Sequence, residues 1–438
     1  MSKTLHLVSL GCNKNLVDSE VMLGKLHEYT LTDDASSADV IIVNTCGFIE
    51  AAKVESIDTI LTLHEQRKED SLLVVSGCLS ERYREELQQE IPEVDIFTGV
   101  GDYERIDELI SLKQSSFTPE VYLANENSPR IITGSKYHAY IKLSEGCNQQ
   151  CSFCAIPSFK GKLKSRTINS VISEVQQLLE QGFKDFSFIS QDTSSYGRDL
   201  GNPNMLIDLI KQVELLPGIK SARILYLYPS TTTKELIDTI VASPIFANYF
   251  DIPIQHISNH MLKVMKRGFN KEKTLELLEY MRSIEGGFVR TAVIAGHPGE
   301  SQEDFNELKA FLQNFEFDRI TVFEYSNEES TAAYTMEQIP KETISQRASE
   351  LGAIAKEAMI QSQQKLIGKE IELIIDGVSD EHELLLTARP TLWAPEIDGE
   401  VFINDSNDFA LNHGDYYRAK VTEVVDVTPL ATLLEKID

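Results

Sequence analysis

Positive charge is scarce in this sequence. Its 438 residues carry 41 Lys and Arg against 68 Asp and Glu, a net charge of −27. A free-standing nucleic-acid binder carries a basic face, so little direct RNA contact is expected. The deficit suits a basic protein partner, through long-range attraction, and it equally suits plain solubility. Long hydrophobic runs are missing too. None approaches the roughly 20 residues that span a bilayer. The first ten residues lack a signal-peptide layout and read straight into a strand. No membrane partner and a cytoplasmic location are therefore expected. Tryptophan occurs once and cysteine six times. In a reducing compartment, six cysteines mean metal or redox chemistry more readily than disulfides.

The rest of the composition is ordinary for a soluble globular chain: 42% hydrophobic and 25% charged residues. The length suggests about two to four domains. We divide it at 1–130, 131–366 and 367–438.

In the first part, apolar runs at 5–10, 40–43, 72–75 and 95–100 alternate with helical patterns at 16–28, 50–66 and 80–90. Continuous β-branched runs between helices predict an open parallel α/β sheet covered on both faces. Cys12, Cys46 and Cys78 each fall just past one of these strands. In a parallel sheet those carboxyl ends lie side by side, at the edge where ligands bind. Free cysteine is otherwise a small buried hydrophobe, expected within strands and facing the core. Three at one edge favour convergence on a three-thiolate cluster. A polar connection over 111–136 follows, with Pro119 and Pro129.

The second part opens on Cys147, Cys151 and Cys154, a C-x3-C-x2-C loop directly after an apolar run. Thiolates are the ligands iron–sulfur clusters need, and a four-iron cluster usually takes four. Three would leave one iron open. A zinc site, or a ferredoxin-type loop with a distant fourth cysteine, is the local alternative. Strand-like runs at 137–143, 186–190, 223–228, 249–254, 289–295 and 320–325 alternate with helical patterns, and a long one covers 341–366. Six such units predict a partial (β/α)6 barrel of the TIM type, with its active face at the carboxyl ends of the strands. On that rim we expect Gln191, Gln255, His256, Gly296, His297 and Glu300. Lys160, Lys162, Lys164 and Arg166 follow the cysteine loop and could hold a carboxylate. Each of these alone is as well explained by a solvated loop or a plain turn.

The third part changes character. Short alternating runs at 370–375, 383–387, 400–403 and 415–425 are separated by glycine turns, the pattern of a small antiparallel β-barrel. Five Lys and Arg stand there against sixteen Asp and Glu, a net −11. That favours a protein partner over RNA. Trp393 reads as core first and as an exposed docking anchor second.

The C-x3-C-x2-C loop resembles that of the radical S-adenosylmethionine superfamily. The longer stretches Ser9–Glu20, Asn44–Ile49, Ser144–Ser158 and Asp251–His256 carry the resemblance further, as does Ala394–Gly399. Together they identify the whole chain as similar to the methylthiotransferase family of radical S-adenosylmethionine enzymes. The resemblance implies an N-terminal cluster domain, a radical barrel and a terminal TRAM domain. It implies two 4Fe-4S clusters, one on each cysteine set, and S-adenosylmethionine at Gln191, Gln255, Gly296, Glu300 and Arg166. The open iron of the barrel cluster would take the cofactor, whose one-electron cleavage yields a radical that abstracts hydrogen from the substrate. The other cluster would hold the sulfur, and a second S-adenosylmethionine would give the methyl group. The stretches are closest to the branch that modifies an aspartate of small-subunit ribosomal protein S-twelve, a basic protein met by the acidic TRAM domain. A reductant such as flavodoxin or ferredoxin is implied as partner. The sister branch acts on a tRNA adenosine, and a non-catalytic iron–sulfur redox protein is the remaining class. Lys160 and His297 depart from the family pattern, which commonly has an arginine and an aromatic residue there.

Overall fold

A computed structural model describes residues 3–378, 386–407, 409 and 411–437. The first unit runs β1 (Thr4–Ser9), α1 (Asn13–Lys25), β2 (Thr30–Leu31), β3 (Val40–Thr45), α2 (Glu50–Gln66), β4 (Leu72–Gly77), α3 (Cys78–Arg82), α4 (Arg84–Glu90), β5 (Ile96–Phe97) and α5 (Ile106–Leu112). Its sheet has the order β2-β1-β3-β4-β5 and is parallel throughout. Every residue of β3 is buried, because helices cover both faces. Val40 and Ile42 pack to one side, Ile41 and Val43 to the other. The helix expected over 80–90 is two short helices that meet at Tyr83.

The second unit runs β6 (His138–Lys142), β7 (Ser144–Glu145), α6 (Ile156–Phe159), β8 (Lys164–Ser165), α7 (Ile168–Glu180), β9 (Asp185–Ile189), α8 (Met205–Val213), β10 (Ser221–Ile224), α9 (Lys234–Ala242), β11 (Tyr249–Asp251), α10 (Asn259–Val264), α11 (Lys271–Arg282), β12 (Phe288–Ala295), α12 (Gln302–Asn314), β13 (Arg319–Glu324) and α13 (Lys341–Gln364). Its main strands form two three-stranded parallel sheets, β10-β9-β6 and β11-β12-β13. The sheets meet between β10 and β11, where Leu227 N donates to the Asp251 carbonyl at 2.8 Å. Outward residues such as Ile141, Phe186, Phe188, Ala222 and Val289 form one core with the surrounding helices. Inward residues are largely polar: His138 bonds Ser187 at 2.9 Å, and Arg223 bonds Asp185 at 2.7 Å. α1 lies against β6, and its Val17 packs with Tyr140, Ile189 and Leu225. No helix among the described residues is long and apolar enough to cross a membrane.

The third unit is a closed barrel of β14 (Glu370–Val378), β15 (Leu386–Pro390), β16 (Val401–Asp405), β17 (Tyr416–Val425) and β18 (Thr428–Ile437). It corrects the antiparallel expectation in one place: β16 and β18 pair in parallel. β18 itself was not anticipated. Of the run at 383–387, only 386 and 387 are described, in β15, and 383–385 lie outside the described residues.

This unit seats on the amino ends of the central strands. Trp393 is 3% exposed, packs on Phe288 and lies under Arg319. The docking-anchor reading does not hold for it. Its loop accepts from Arg223 at the Thr391 carbonyl (2.8 Å), from Tyr140 at the Pro395 carbonyl (3.0 Å) and from Arg319 at the Asp398 carbonyl (2.9 Å). Arg389 reaches across to Asp185 at 3.0 Å. Burial alone would raise the Asp185 carboxyl, but Arg223 and Arg389 overcome this and hold it well below its usual range. Removing one member of a buried ion pair leaves an uncompensated charge, at a cost of about 3–5 kcal/mol. Asp185→Asn should lose stability of that order in urea denaturation. A loss within about 0.5 kcal/mol, typical of a surface change, would refute this account of the seat.

Candidate active site

The first three cysteines sit at the carboxyl ends of neighbouring strands. Cys12 caps α1, Cys46 follows β3 directly, and Cys78 opens α3 straight after β4. The register pairs Ser9 with Asn44 and Thr45 with Gly77, so the three chain ends come out level. Gly11 makes this approach possible. Its φ is +86°, and a Cβ there would lie 2.5 Å from the Cys46 Cβ. Asn15 ties the loops together. Its amide donates to the carbonyls of Leu10 (3.1 Å) and Thr45 (2.9 Å), and its oxygen accepts from the Cys78 thiol at 3.5 Å. Nothing in the sequence around Asn15 gives it a role; only the fold brings Thr45 and Cys78 to it.

The second three lie in the loop after β7. Gly146 has φ +77°, and a Cβ there would meet the Lys162 carbonyl at 2.3 Å, so the loop can close on itself only with glycine. Cys147 N then donates to the Gly161 carbonyl at 3.1 Å. Several groups support the thiols. The backbone N–H of Gln149 points at Cys147 Sγ (3.4 Å), and the Arg267 guanidinium donates to Cys151 Sγ (3.1 Å) while stacking on Tyr228. Ser152, inside the loop, is anchored by His297 at 2.9 Å. The other ring nitrogen of His297 donates to the Pro298 carbonyl, and burial pushes the imidazole down to about 4, so it stays neutral. The departure at His297 is thus a buttress beneath the cysteine loop.

The helix that Cys78 opens, α3, lies against α6, which follows Cys154. Cys78 belongs to the same apolar cluster as Ala155 and Phe159, which follow Cys154. Beside this contact lies a buried quartet. Lys142 bonds Asp18 of α1 and, at 2.8 Å, Glu145 of the cysteine loop; Lys160 approaches the same two carboxylates at 3.3 and 3.5 Å. Burial alone would raise the Glu145 carboxyl, but the two lysines hold it at about 2. The departure at Lys160 is therefore a cross-unit ion pair. A second clamp works from the far side: buried Glu328, after β13, accepts from Arg82 (2.7 Å) and Lys53 (3.2 Å) of the first unit.

The rim residues divide. Gln191 donates to Glu145 and leaves its own buried oxygen unpartnered. Gln255 holds φ at +69°, strained for a non-glycine residue, and its buried oxygen is also unpartnered. Glu300 accepts from Gly296 N (3.0 Å) and Arg347 (2.5 Å) through one oxygen; its other oxygen is orphaned. His256 Nδ1 accepts from Ile257 N and Ser258 N, so its proton sits on Nε2, 3.4 Å from that Glu300 oxygen. Arg166 is already partnered. Its guanidinium is spent on Glu174, Ser170 and the Lys142 carbonyl, under the barrel wall.

These residues fit a pair of iron–sulfur clusters and a polar cofactor. Burial pushes the Cys46 thiol up to about 11 and those of Cys147 and Cys154 up to about 12, and it raises Cys78 as well. Such thiols become ligands only when a metal stabilises the thiolate. Among the described residues, no three His, Cys, Asp or Glu side chains close tightly enough for a single metal ion. Buried oxygens without a partner are costly, and those of Gln191, Gln255 and Glu300 would be answered by the ammonium and hydroxyl donors of S-adenosylmethionine.

Comparison with known proteins agrees with this architecture. Residues 4–99 match the uncharacterized protein family UPF0004, residues 141–312 the radical SAM superfamily and residues 367–431 the TRAM domain. A protein of Sulfurovum sp. named "Ribosomal protein uS12 methylthiotransferase RimO" is 65% identical over 99% of each chain. Proteins of the same name from Nitratiruptor sp. and Campylobacter jejuni are 60% and 56% identical, over 97% and 100% of each chain. Among solved structures, the radical S-adenosylmethionine methyltransferase TsrM from Kitasatospora setae superposes with a TM-score of 0.54 at 16% identity, covering 74% of this chain and 73% of its own. The cobalamin-dependent S-adenosylmethionine radical enzyme OxsB does so with 0.52 at 14%, covering 81% of this chain and 56% of its own. At such identities the likeness is one of fold.

Proposed function

The chain belongs to the uS12 methylthiotransferase RimO family of radical S-adenosylmethionine enzymes, and on that premise we propose that it adds a methylthio group to the β-carbon of one aspartate of ribosomal protein uS12. It does so with two 4Fe-4S clusters and two molecules of S-adenosylmethionine. Cys12, Cys46 and Cys78 hold one cluster, and Cys147, Cys151 and Cys154 the other. The labour divides at 1–130, 131–366 and 367–438.

The observation that carries this reading is the contact between α3, which Cys78 opens, and α6, which follows Cys154. Residues that would hold the two clusters thus come from adjoining parts of the fold and would serve one substrate. Bound clusters and S-adenosylmethionine supply one-electron chemistry on an unactivated C–H bond, which no side chain can perform. The chain's own part is to hold and to exclude. Gln191, Gln255, Gly296 and Glu300 orient the cofactor. Arg267 and the Gln149 N–H keep negative charge on the barrel thiols. The buried quartet and Glu328 keep the first unit down on the rim, which fixes distances and keeps the site dry. The exposed carboxylates Glu372, Asp405 and Glu423 on the terminal barrel favour a basic protein substrate over RNA. A small reducing protein such as flavodoxin or ferredoxin supplies the electron.

Mass spectrometry after anaerobic turnover tests the proposal. Reconstituted enzyme, reductant, S-adenosylmethionine and sulfide are given uS12 or an anticodon-arm tRNA. A methylthio adduct on the aspartate alone is expected. An adduct on the tRNA alone would move the chain to the tRNA-modifying branch, and neither adduct would remove the reading.

A further inference from the structure

Lys14 stands in the first turn of α1, two residues after Cys12. Its Nζ lies 3.3 Å from the centroid of the Tyr226 ring. Tyr226 is two residues past β10, on the carboxyl rim, with φ at +63°. That conformation is strained for a bulky residue and persists only where its surroundings hold it. Here the Tyr226 N–H donates to the Asp251 carboxylate at 2.9 Å, and its carbonyl accepts from Thr193 N at 3.0 Å. Both Lys14 and Tyr226 are half-buried. The chain thus pins an ammonium between the first cysteine set and the mouth of the barrel.

The other cations of this mouth have work. Lys142 and Lys160 face Asp18 and Glu145. Arg290 pairs with Asp251 at 2.9 Å. Arg267 donates to Cys151 Sγ and the Pro253 carbonyl. Among these described cations, Lys14 is the one with no carboxylate and no carbonyl against it. The ammonium also shares a side-chain hydrogen bond with Tyr226, and with three N–H donors it keeps at least one to spare. A half-buried ammonium with donors to spare is an anion seat.

We infer that Lys14 grips the side-chain carboxylate of the substrate aspartate and so holds the β-carbon between the two cysteine sets. This rests on the function proposed above. The carboxylate is bonded directly to the reacting carbon and is unchanged by the reaction, so it is the natural handle.

Binding without turnover tests it. Reconstituted holoenzyme with S-adenosylmethionine and no reductant is titrated with a fluorescent peptide of the uS12 loop, carrying either its aspartate or asparagine. The wild type should prefer the aspartate peptide by roughly tenfold or more. Lys14→Met should erase that preference by weakening the aspartate peptide alone, Lys14→Arg should keep most of it, and cofactor affinity should not move. A preference that survives Lys14→Met, or equal weakening of both peptides, overturns the inference. So does loss of cofactor binding with the preference intact, which would give Lys14 to the cofactor's own carboxylate. A wild type that binds both peptides equally sinks the inference alone. One that binds neither sinks the substrate reading with it.

Discussion

Alanine at Cys147, Cys151 or Cys154 should abolish release of 5′-deoxyadenosine from S-adenosylmethionine, while alanine at Cys12, Cys46 or Cys78 should abolish the methylthio product and leave measurable release. The asymmetry follows from position. The barrel set lies on the rim with Gln191, Gln255 and Glu300, the residues suited to the cofactor. The first set stands on a separate sheet, and that unit meets the barrel through side chains other than those suited to the cofactor, among them Lys14, Asp18 and Arg82. Each substitution removes one of three thiolates from its set, so iron content should fall selectively as well. Anaerobic reconstitution, iron and sulfide analysis, and chromatography of the nucleoside read both effects. Equal loss of cleavage in both groups of variants would contradict the division.

The second large effect concerns no cysteine. Asp18→Asn should loosen the first unit from the barrel and lower stability by about 3–5 kcal/mol, the cost of leaving a buried cation unpaired. Asp18 is fully buried and meets both Lys142 and Lys160. With it neutralised, two buried ammoniums share only Glu145. Product formation should fall far more than cofactor cleavage, because the cysteines of the barrel loop keep their own hydrogen bonds. Urea denaturation read alongside the two product assays checks this. A variant of wild-type stability, or one whose two activities fall in step, would show that the quartet does not govern the docking.

Much of this site was legible because the signals were local. A cysteine just past a β-branched run marks a strand's carboxyl end, and parallel strands bring such ends together. What escaped reading was carried by distant pairs. Lys142 and Asp18 are 124 positions apart, and nothing near either predicts a buried ammonium. Arg166 was assigned to the cofactor because it follows the cysteine loop; its partners Ser170 and Glu174 lie on the next helix, one turn apart. The last strand, Thr428–Ile437, hid because Leu430, Leu433, Leu434, Glu435 and Lys436 are good helix formers. Closure of a barrel is a non-local event that overrides such preference.

The seat of Trp393 and Arg389 on the floor of the central barrel makes the terminal unit a gauge. On the function proposed above, it would hold a basic partner at a set offset from the cysteines at the opposite end. A basic protein caught on the outer carboxylates reaches the mouth only if its loop is long enough to span that offset. Substrate choice then becomes a matter of reach as well as of charge, and a peptide with the right aspartate on too short an arm is excluded without any contact being made against it. The Asp185→Asn variant carries the check, since a loosened gauge should slow modification of intact uS12 while sparing that of the free loop peptide.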